Sequence, residues 1–378
     1  MGSNLSIVMG AVWLYVIWRF VWPLPIGAGG RVLLALVLFL AAEYHWVTGR
    51  YFGTLASPEL PQAVLLVLAW AFGAFLLLGM LVLLRDVVGS LVFIVARAPG
   101  RVILTGHGVQ WFVGALALVL AAVGVWQAVK VPDVKTVNIT LPNLPQAFDG
   151  YRIVQLTDLH ASRLLPQSWQ AAVVARADAL KPNLIVITGD LADGAPAQRA
   201  QDVSPLKNLT AADGVLAIPG NHEYYADYRD WMVAYRALGL HMLENQHVLI
   251  QHDGATLAVA GLTDRQAGAF DLPKPDLTAA LAGVPPGTTT ILLEHRPGDA
   301  VQNAQAGIAL QLSGHTHGGQ IRGPDLLVKR ANNGFLSGIY HVGPMVLYVS
   351  NGTGLWNGLA IRLGRPSEIT QIVLHSGR

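Results

Sequence analysis

The chain has 378 residues, no cysteine, 53% hydrophobic and only 13% charged residues, and a formal net charge of +2. That excludes a disulfide framework, a thiolate metal site and a cysteine nucleophile, and so low a charged fraction argues against a wholly soluble chain. Residues 1–130 hold seven Lys/Arg and three Asp/Glu, a net of +4, and residues 131–378 hold 18 and 20, a net of −2. A slightly acidic second part without a long basic run is poorly equipped to grip a nucleic-acid backbone, so no nucleic-acid partner is expected.

Four apolar runs occupy the first 130 residues. They predict a membrane domain of about four helices over residues 5–22, 31–48, 62–84 and 109–130. Trp22, Trp46, Trp111 and Trp126 sit near run ends, as interfacial anchors do. No positive charge precedes the first run and no small-x-small site ends it before Pro23 and Pro25, so it reads as a retained helix. Arg19, Arg31, Arg85, Arg97 and Arg101 lie in the first and third loops, against Arg50, Lys130 and Lys135 on the other side. The positive-inside rule then puts those two loops in the cytoplasm, with both termini facing outward. The expected location is a bacterial inner membrane with an extracytoplasmic second domain. Val87–Ala96 reads either as an interfacial helix or as the extended end of the third span. Glu43, His45 and His107 read as boundary residues in headgroup territory.

From residue 131 onward, short buried strands alternate with helical stretches, the signature of an α/β domain spanning 131–378. Tyr151–Leu156 ends in Thr157-Asp158-Leu159-His160, and Leu184–Thr188 ends in Gly189-Asp190. Val215–Ile218 ends in Pro219-Gly220-Asn221-His222-Glu223, and Thr289–Leu293 in Glu294-His295. Ile308–Ser313 leads into Gly314-His315-Thr316-His317-Gly318-Gly319. In α/β sheets, ligands sit outside the carboxyl ends of the strands. Five strands ending in loops that carry Asp, Asn or His are therefore a candidate site.

The collected side chains are Asp158, His160, Asp190, Asn221, His222, His295, His315 and His317, all oxygen or nitrogen donors. Such a set suits Mn, Fe, Zn or Ni. Seven of the eight can share two metals if one carboxylate bridges. Two metals about 3.5–4 Å apart hold a bridging hydroxide and clamp the oxygens of an in-line displacement at phosphorus. Each motif alone is unremarkable: Gly-Asp is usually a turn, and Asn-His is often an Asx turn. The other histidines (45, 107, 241, 247, 252, 341 and 375) have no motif context.

Asp158-x-His160, Gly189-Asp190, Gly220-Asn221-His222-Glu223, His295 and Gly314-His315-x-His317 resemble, in order and spacing, the five-motif pattern of the calcineurin-like metallophosphoesterase superfamily. The wider context, GHTHGGQIRGP and SNGTG…IRLG, is similar to its bacterial membrane-anchored branch, the YkuE- and YaeI-like phosphoesterases. The resemblance implies two packed β-sheets flanked by helices. It implies one metal on Asp158, His160, Asp190 and His317 and a second on Asp190, Asn221, His295 and His315, two divalent ions of Mn, Fe or Zn. His222 is then left as the catalytic general acid or transition-state donor. Glu223 would orient His222 or cap the following helix, and Arg163, Arg296 and Arg322 lie near ligand loops. The expected function is a membrane-anchored binuclear phosphoesterase, a phosphodiesterase acting on a phospholipid, a lipid-linked or another envelope phosphate. The alternative is a non-enzymatic receptor or transporter component that retains the metal-binding domain.

Overall fold

The computed structural model describes residues 2–54 and 56–377. They form two compact units: residues 1–127 with 357–363, and residues 128–356 with 364–378. The chain therefore leaves the second unit after Trp356, contributes seven residues to the first, and returns at Gly364.

The first unit is helical. Its helices are α1 (Gly2–Val16), α2 (Ala28–Tyr51), α3 (Gln62–Val95), α4 (Arg97–Thr105) and α5 (His107–Val129). α1 runs on into a wider π-type turn over Ile17–Val21 before the two prolines. Helices α2, α3 and α5 are long and apolar enough to cross a membrane, and Leu5–Val21 forms a shorter apolar helix. α3 continues unbroken through Arg85 and Asp86 to Val95. Val87–Val95 is thus the far end of the third helix, and the separate short helix is α4. Gly100 of α4 lies so close to the Phe93 backbone that a Cβ there would collide with it.

Asp86 is the centre of a paired group in this unit. Asp86 accepts from Tyr15 Oη at 2.7 Å and Arg19 Nε at 2.6 Å, and from Arg85 Nη2 at 2.7 Å. Such pairing is what makes charges tolerable among apolar helices. His45 is buried, and its Nε2 lies 2.8 Å from the carbonyl oxygen of Gly358. It packs inside the bundle. Asn357 donates to Ala56 O at 2.8 Å, and Arg362 N–H donates to Gly124 O at 2.9 Å. Ile361 fills the space left by the missing side chains of Gly73 and Gly124.

The second unit contains β1 (Asp133–Leu141), β2 (Arg152–Leu156), α6 (Gln167–Asp178), β3 (Leu184–Thr188), α7 (Pro196–Val203) and β4 (Val215–Ile218). There follow α8 (Tyr228–Ala237), β5 (His241–Met242), β6 (Gln246–His252), β7 (Ala255–Gly261), α9 (Leu277–Leu281) and β8 (Thr289–Leu293). It ends with α10 (Ala300–Gln305), β9 (Leu310–Ser313), α11 (Asp325–Ala331), β10 (Gly338–Val342), β11 (Met345–Val349) and β12 (Glu368–Ser376). One six-stranded sheet has the order β1-β12-β2-β3-β4-β5, the other β10-β11-β9-β8-β7-β6. The central strands β2, β3 and β4 are parallel, as are β7, β8 and β9.

Alternation along the strands builds the layers. Leu184 and Val186 of β3 face a core shared with Val259, Ile291, Leu293, Leu310 and Leu312 of the other sheet. Ile185 and Ile187 face the opposite core, with Val173 of α6 and Trp231 and Tyr235 of α8. Leu292 and Leu347 face a third core with Ala300 and Ala304 of α10. The result is two sheets face to face with helices outside each. Because both faces of the central strands are covered, β3 and β8 read as continuous apolar runs.

Candidate metal centre

The carboxyl ends of β2, β3, β4, β8 and β9 carry the eight side chains singled out above. Their loops are stitched by backbone hydrogen bonds: Asp158 N–H to Gly189 O and His160 N–H to Asp190 O, both 3.0 Å, and Gly314 N–H to His295 O at 2.9 Å. Asp158, His160, Asp190, His315 and His317 all adopt positive φ, between 43° and 69°. Non-glycine residues are held there only when their surroundings over-determine them, a pattern that clusters at functional sites. Gly220 and Gly314 have no alternative: a Cβ at Gly220 would strike the Asp190 carboxylate, and one at Gly314 would strike Thr157 and Asp158.

The structure gathers the predicted residues into two three-residue groups. Asp158, His160 and His317 can present one ligand atom each within 4.8 Å of one another, and so can Asp190, His295 and His315. Asp190 stands between them. Its Oδ2 lies 3.7 Å from His160 Nε2 and 3.2 Å from His295 Nε2, while its Oδ1 accepts the His222 N–H at 2.8 Å.

The unpaired atoms decide whether metal ions fit. His160 Nε2, His295 Nε2 and Asn221 Oδ1 are buried and make no hydrogen bond. Buried polar atoms are seldom left so. The opposite ring nitrogens are engaged, His160 Nδ1 with Asp193 at 2.9 Å and His295 Nδ1 with the carbonyl of Thr188 at 2.8 Å. A ligating histidine is oriented in this manner, with one nitrogen anchored and the other open. The residues fit two divalent cations.

The electrostatics agree. Burial would lower the pKa of His295, but Asp190 and Asp158 outweigh it and push it up to about 10. His222 is likewise pushed up to about 9: burial works against the charge, and Asp190, Asp193 and Glu223 outweigh burial. These carboxylates form a pocket of negative potential that draws positive charge.

Three contributors were not singled out from the sequence or act differently from expectation. Asp193 Oδ1 takes both the Nδ1 of His222, at 2.6 Å, and that of His160. Its only signal was its place three residues after Asp190. Glu223 neither orients His222 nor caps α8. Its wholly buried carboxylate accepts the N–H groups of Asp190 at 3.1 Å, Leu191 at 2.8 Å and Gly220 at 2.7 Å, tying the loops after β3 and β4 together. Trp356 stands beside His222, with ring centroids 6.2 Å apart, outside the five ligand loops. Of the nearby arginines, Arg163 and Arg322 are exposed, whereas Arg296 reaches His315.

This α/β sandwich with acid and imidazole ligands at its strand ends is the architecture of a metallophosphoesterase. A family model described as calcineurin-like phosphoesterase matches residues 151–319. A zebrafish (Danio rerio) "transmembrane protein with metallophosphoesterase domain" is 30% identical, over 94% of this chain and 80% of its own length. Its bovine (Bos taurus) namesake is 35% identical over 68% of this chain, which spans 60% of that relative's length. The "uncharacterized metallophosphoesterase YkuE" of Bacillus subtilis is 34% identical over 62% of this chain and 82% of its own. The chain belongs to the calcineurin-like metallophosphoesterase family. Three helices among the described residues are long and apolar enough to cross a membrane, and with the transmembrane-named relatives they make it a membrane protein.

Proposed function

We propose that the protein is a binuclear metal-dependent phosphoesterase whose substrate is a lipid or lipid-linked phosphate. The observation that carries this reading is the pair of adjacent ligand groups, Asp158–His160–His317 and Asp190–His295–His315, with the ligating atoms of His160, His295 and Asn221 left open. Asp158, His160, Asp190 and His317 would hold one divalent ion, and Asp190, Asn221, His295 and His315 the other, in the Mn, Fe or Zn class. When bound, the two ions supply an activated water and the positive charge that draws electron density from the phosphoryl oxygens.

The chain's own residues do the rest. Asp190, whose Oδ2 lies near both His160 Nε2 and His295 Nε2, would be shared by the two sites, while its Oδ1 fixes the His222 backbone. Asn221 contributes an oxygen without adding negative charge, which keeps the centre attractive to an anion. Asp193 holds His222 by Nδ1, leaving Nε2 to give its proton to the departing ester oxygen. Tyr225, half exposed, packs edge-on against His222 with ring centroids 5.3 Å apart, and Phe270 stands next to Tyr225. This aromatic rim beside the proton donor suits an apolar or amphipathic leaving group.

The membrane helices support a bilayer-presented substrate, and the arginine bias of their loops supports an inner-membrane protein with its catalytic unit outside the cytoplasm. The test is hydrolysis by purified full-length protein, loaded with defined Mn²⁺ or Zn²⁺, of a panel of phospholipids and lipid-linked phosphates against soluble nucleotides. Faster turnover of bilayer-presented esters is expected. Activity confined to soluble nucleotides would sink the lipid assignment, and none on any phosphate ester would sink the enzyme.

A further inference from the structure

Arg296 directly follows His295 and holds two partners. Its Nε donates to Asp264 Oδ2 at 2.8 Å, and its Nη1 lies 3.1 Å from His315 Nε2. Asp264 is almost wholly buried, and its other oxygen accepts the Gln266 N–H at 2.7 Å. The Asp264 bond is therefore a fixed anchor. The His315 bond is conditional.

Arginine has donors only, so His315 Nε2 must be the acceptor and the ring proton must sit on Nδ1. That state of the ring cannot ligate a metal. Ligation through Nε2 needs the lone pair that Arg296 is using. Ligation through Nδ1 moves the proton of the neutral ring to Nε2, where it faces the Arg296 N–H donor against donor. Whichever nitrogen binds, a metal on His315 breaks this contact. The Asp264 bond lies outside the conflict, so the guanidinium stays tethered by Nε while its Nη edge is released beside the Asp190–His295–His315 group.

We infer that Arg296 is a metal-released clamp for the phosphoryl group. In the contact described it is quenched by His315. Metal binding at His315 frees its Nη edge, which then donates to non-bridging phosphoryl oxygens, an acceptor matched to the guanidinium fork in shape and charge. The clamp imposes an order, metal first and phosphate second, because the same edge cannot serve the imidazole and the anion together. It also opposes metal binding by the strength of one hydrogen bond and recovers that when the anion arrives. The inference rests on the proposed phosphoesterase reading and adds the residue that grips the ester.

The experiment uses full-length protein and two probes, Mn²⁺ alone and inorganic phosphate with saturating Mn²⁺, each followed by calorimetry, with metal content measured independently. Arg296→Gln is expected to bind phosphate about tenfold more weakly when metal-loaded, and to bind Mn²⁺ several-fold more tightly. A prop that merely positioned His315 would move metal affinity the other way. Arg296→Lys keeps the charge without the fork and should lose an intermediate share of phosphate affinity, which covers the case that the glutamine variant folds poorly. Unchanged phosphate binding in both variants, with two metals still bound, overturns the clamp and leaves the phosphoesterase reading standing. Wild-type protein that binds no phosphate in the presence of Mn²⁺ overturns that reading first.

Discussion

In the helical unit, Leu40, Ile94 and Val95 expose 65%, 78% and 89% of their surface, while in the sheet unit Asp158, His160 and Glu223 expose none. Each arrangement would be a defect in the other's surroundings. Large apolar side chains facing water are unfavourable in proportion to their area, and they become neutral when the medium is hydrocarbon. Charges taken out of water cost several kcal/mol each, on the order of what a whole domain can spare, unless partners compensate them. The first unit thus declares its solvent by what it exposes. The second declares its ligand by what it buries.

The comparison is broken most severely by removing the acid proposed to serve both metal groups. Asp190→Asn should lose both metals together and with them essentially all phosphoesterase turnover, read by metal analysis and a chromogenic phosphodiester. Loss of only one metal would mean that Asp190 does not join the groups. His222→Ala should sharpen the contrast between binding and chemistry. Metal content stays at two while turnover falls about 10²–10⁴-fold, the usual contribution of a positioned proton donor. Unchanged hydrolysis would remove His222 from the mechanism.

Much of the sheet unit was legible because its signals are local. A buried strand followed by Gly-Asp or Gly-Asn-His needs no long-range information, and β3 and β4 lie where those runs place them. What stayed hidden depends on distant partners. Asp193 looks like any loop acid until the fold brings His160 and His222 to the same oxygen. Arg296 looks like any surface arginine until Asp264 and His315 arrive from other strands. Asn357–Leu363 was the least legible segment. By sequence it is a loop of the catalytic domain, yet its neighbours are Ala56, Gly73 and Gly124, more than 230 positions away. Arg85 and Asp86 read as the end of a span, whereas α3 continues past them, with Asp86 hydrogen-bonded by the distant Tyr15 and Arg19.

That returning segment gives a milder way to separate the two units. A Cβ at Gly124 would collide with Ile361, and Leu363 Cγ would lie 3.3 Å away. Gly124→Val should therefore destabilise the packing of 357–363 by about 1–3 kcal/mol, the usual cost of overpacking. Hydrogen exchange of the Arg362 amide in detergent should rise, since its acceptor is Gly124 O, while two metals remain bound. Unchanged exchange would show that the helices do not hold this segment.

The smallest effect concerns a charge pair away from the metals. Arg365 directs Nε and Nη2 at Asp325 Oδ2, at 2.9 and 2.7 Å, where α11 begins. Burial alone would raise the pKa of this carboxyl, but the hydrogen bonds from Arg365 and from the Gly323 N–H outweigh it and hold it below the ordinary carboxylate range. A carboxyl whose pKa is lower folded than unfolded contributes stability above its unfolded value, and that stability is lost as pH falls through the folded one. Denaturation midpoints of the wild type should accordingly decline as pH drops below about 4. Asp325→Asn should start lower and lose that part of the slope. An identical acid slope in the two proteins would mean that the pair does not report on folding, and that the buried acids at the metal centre dominate the acid response of the sheet unit.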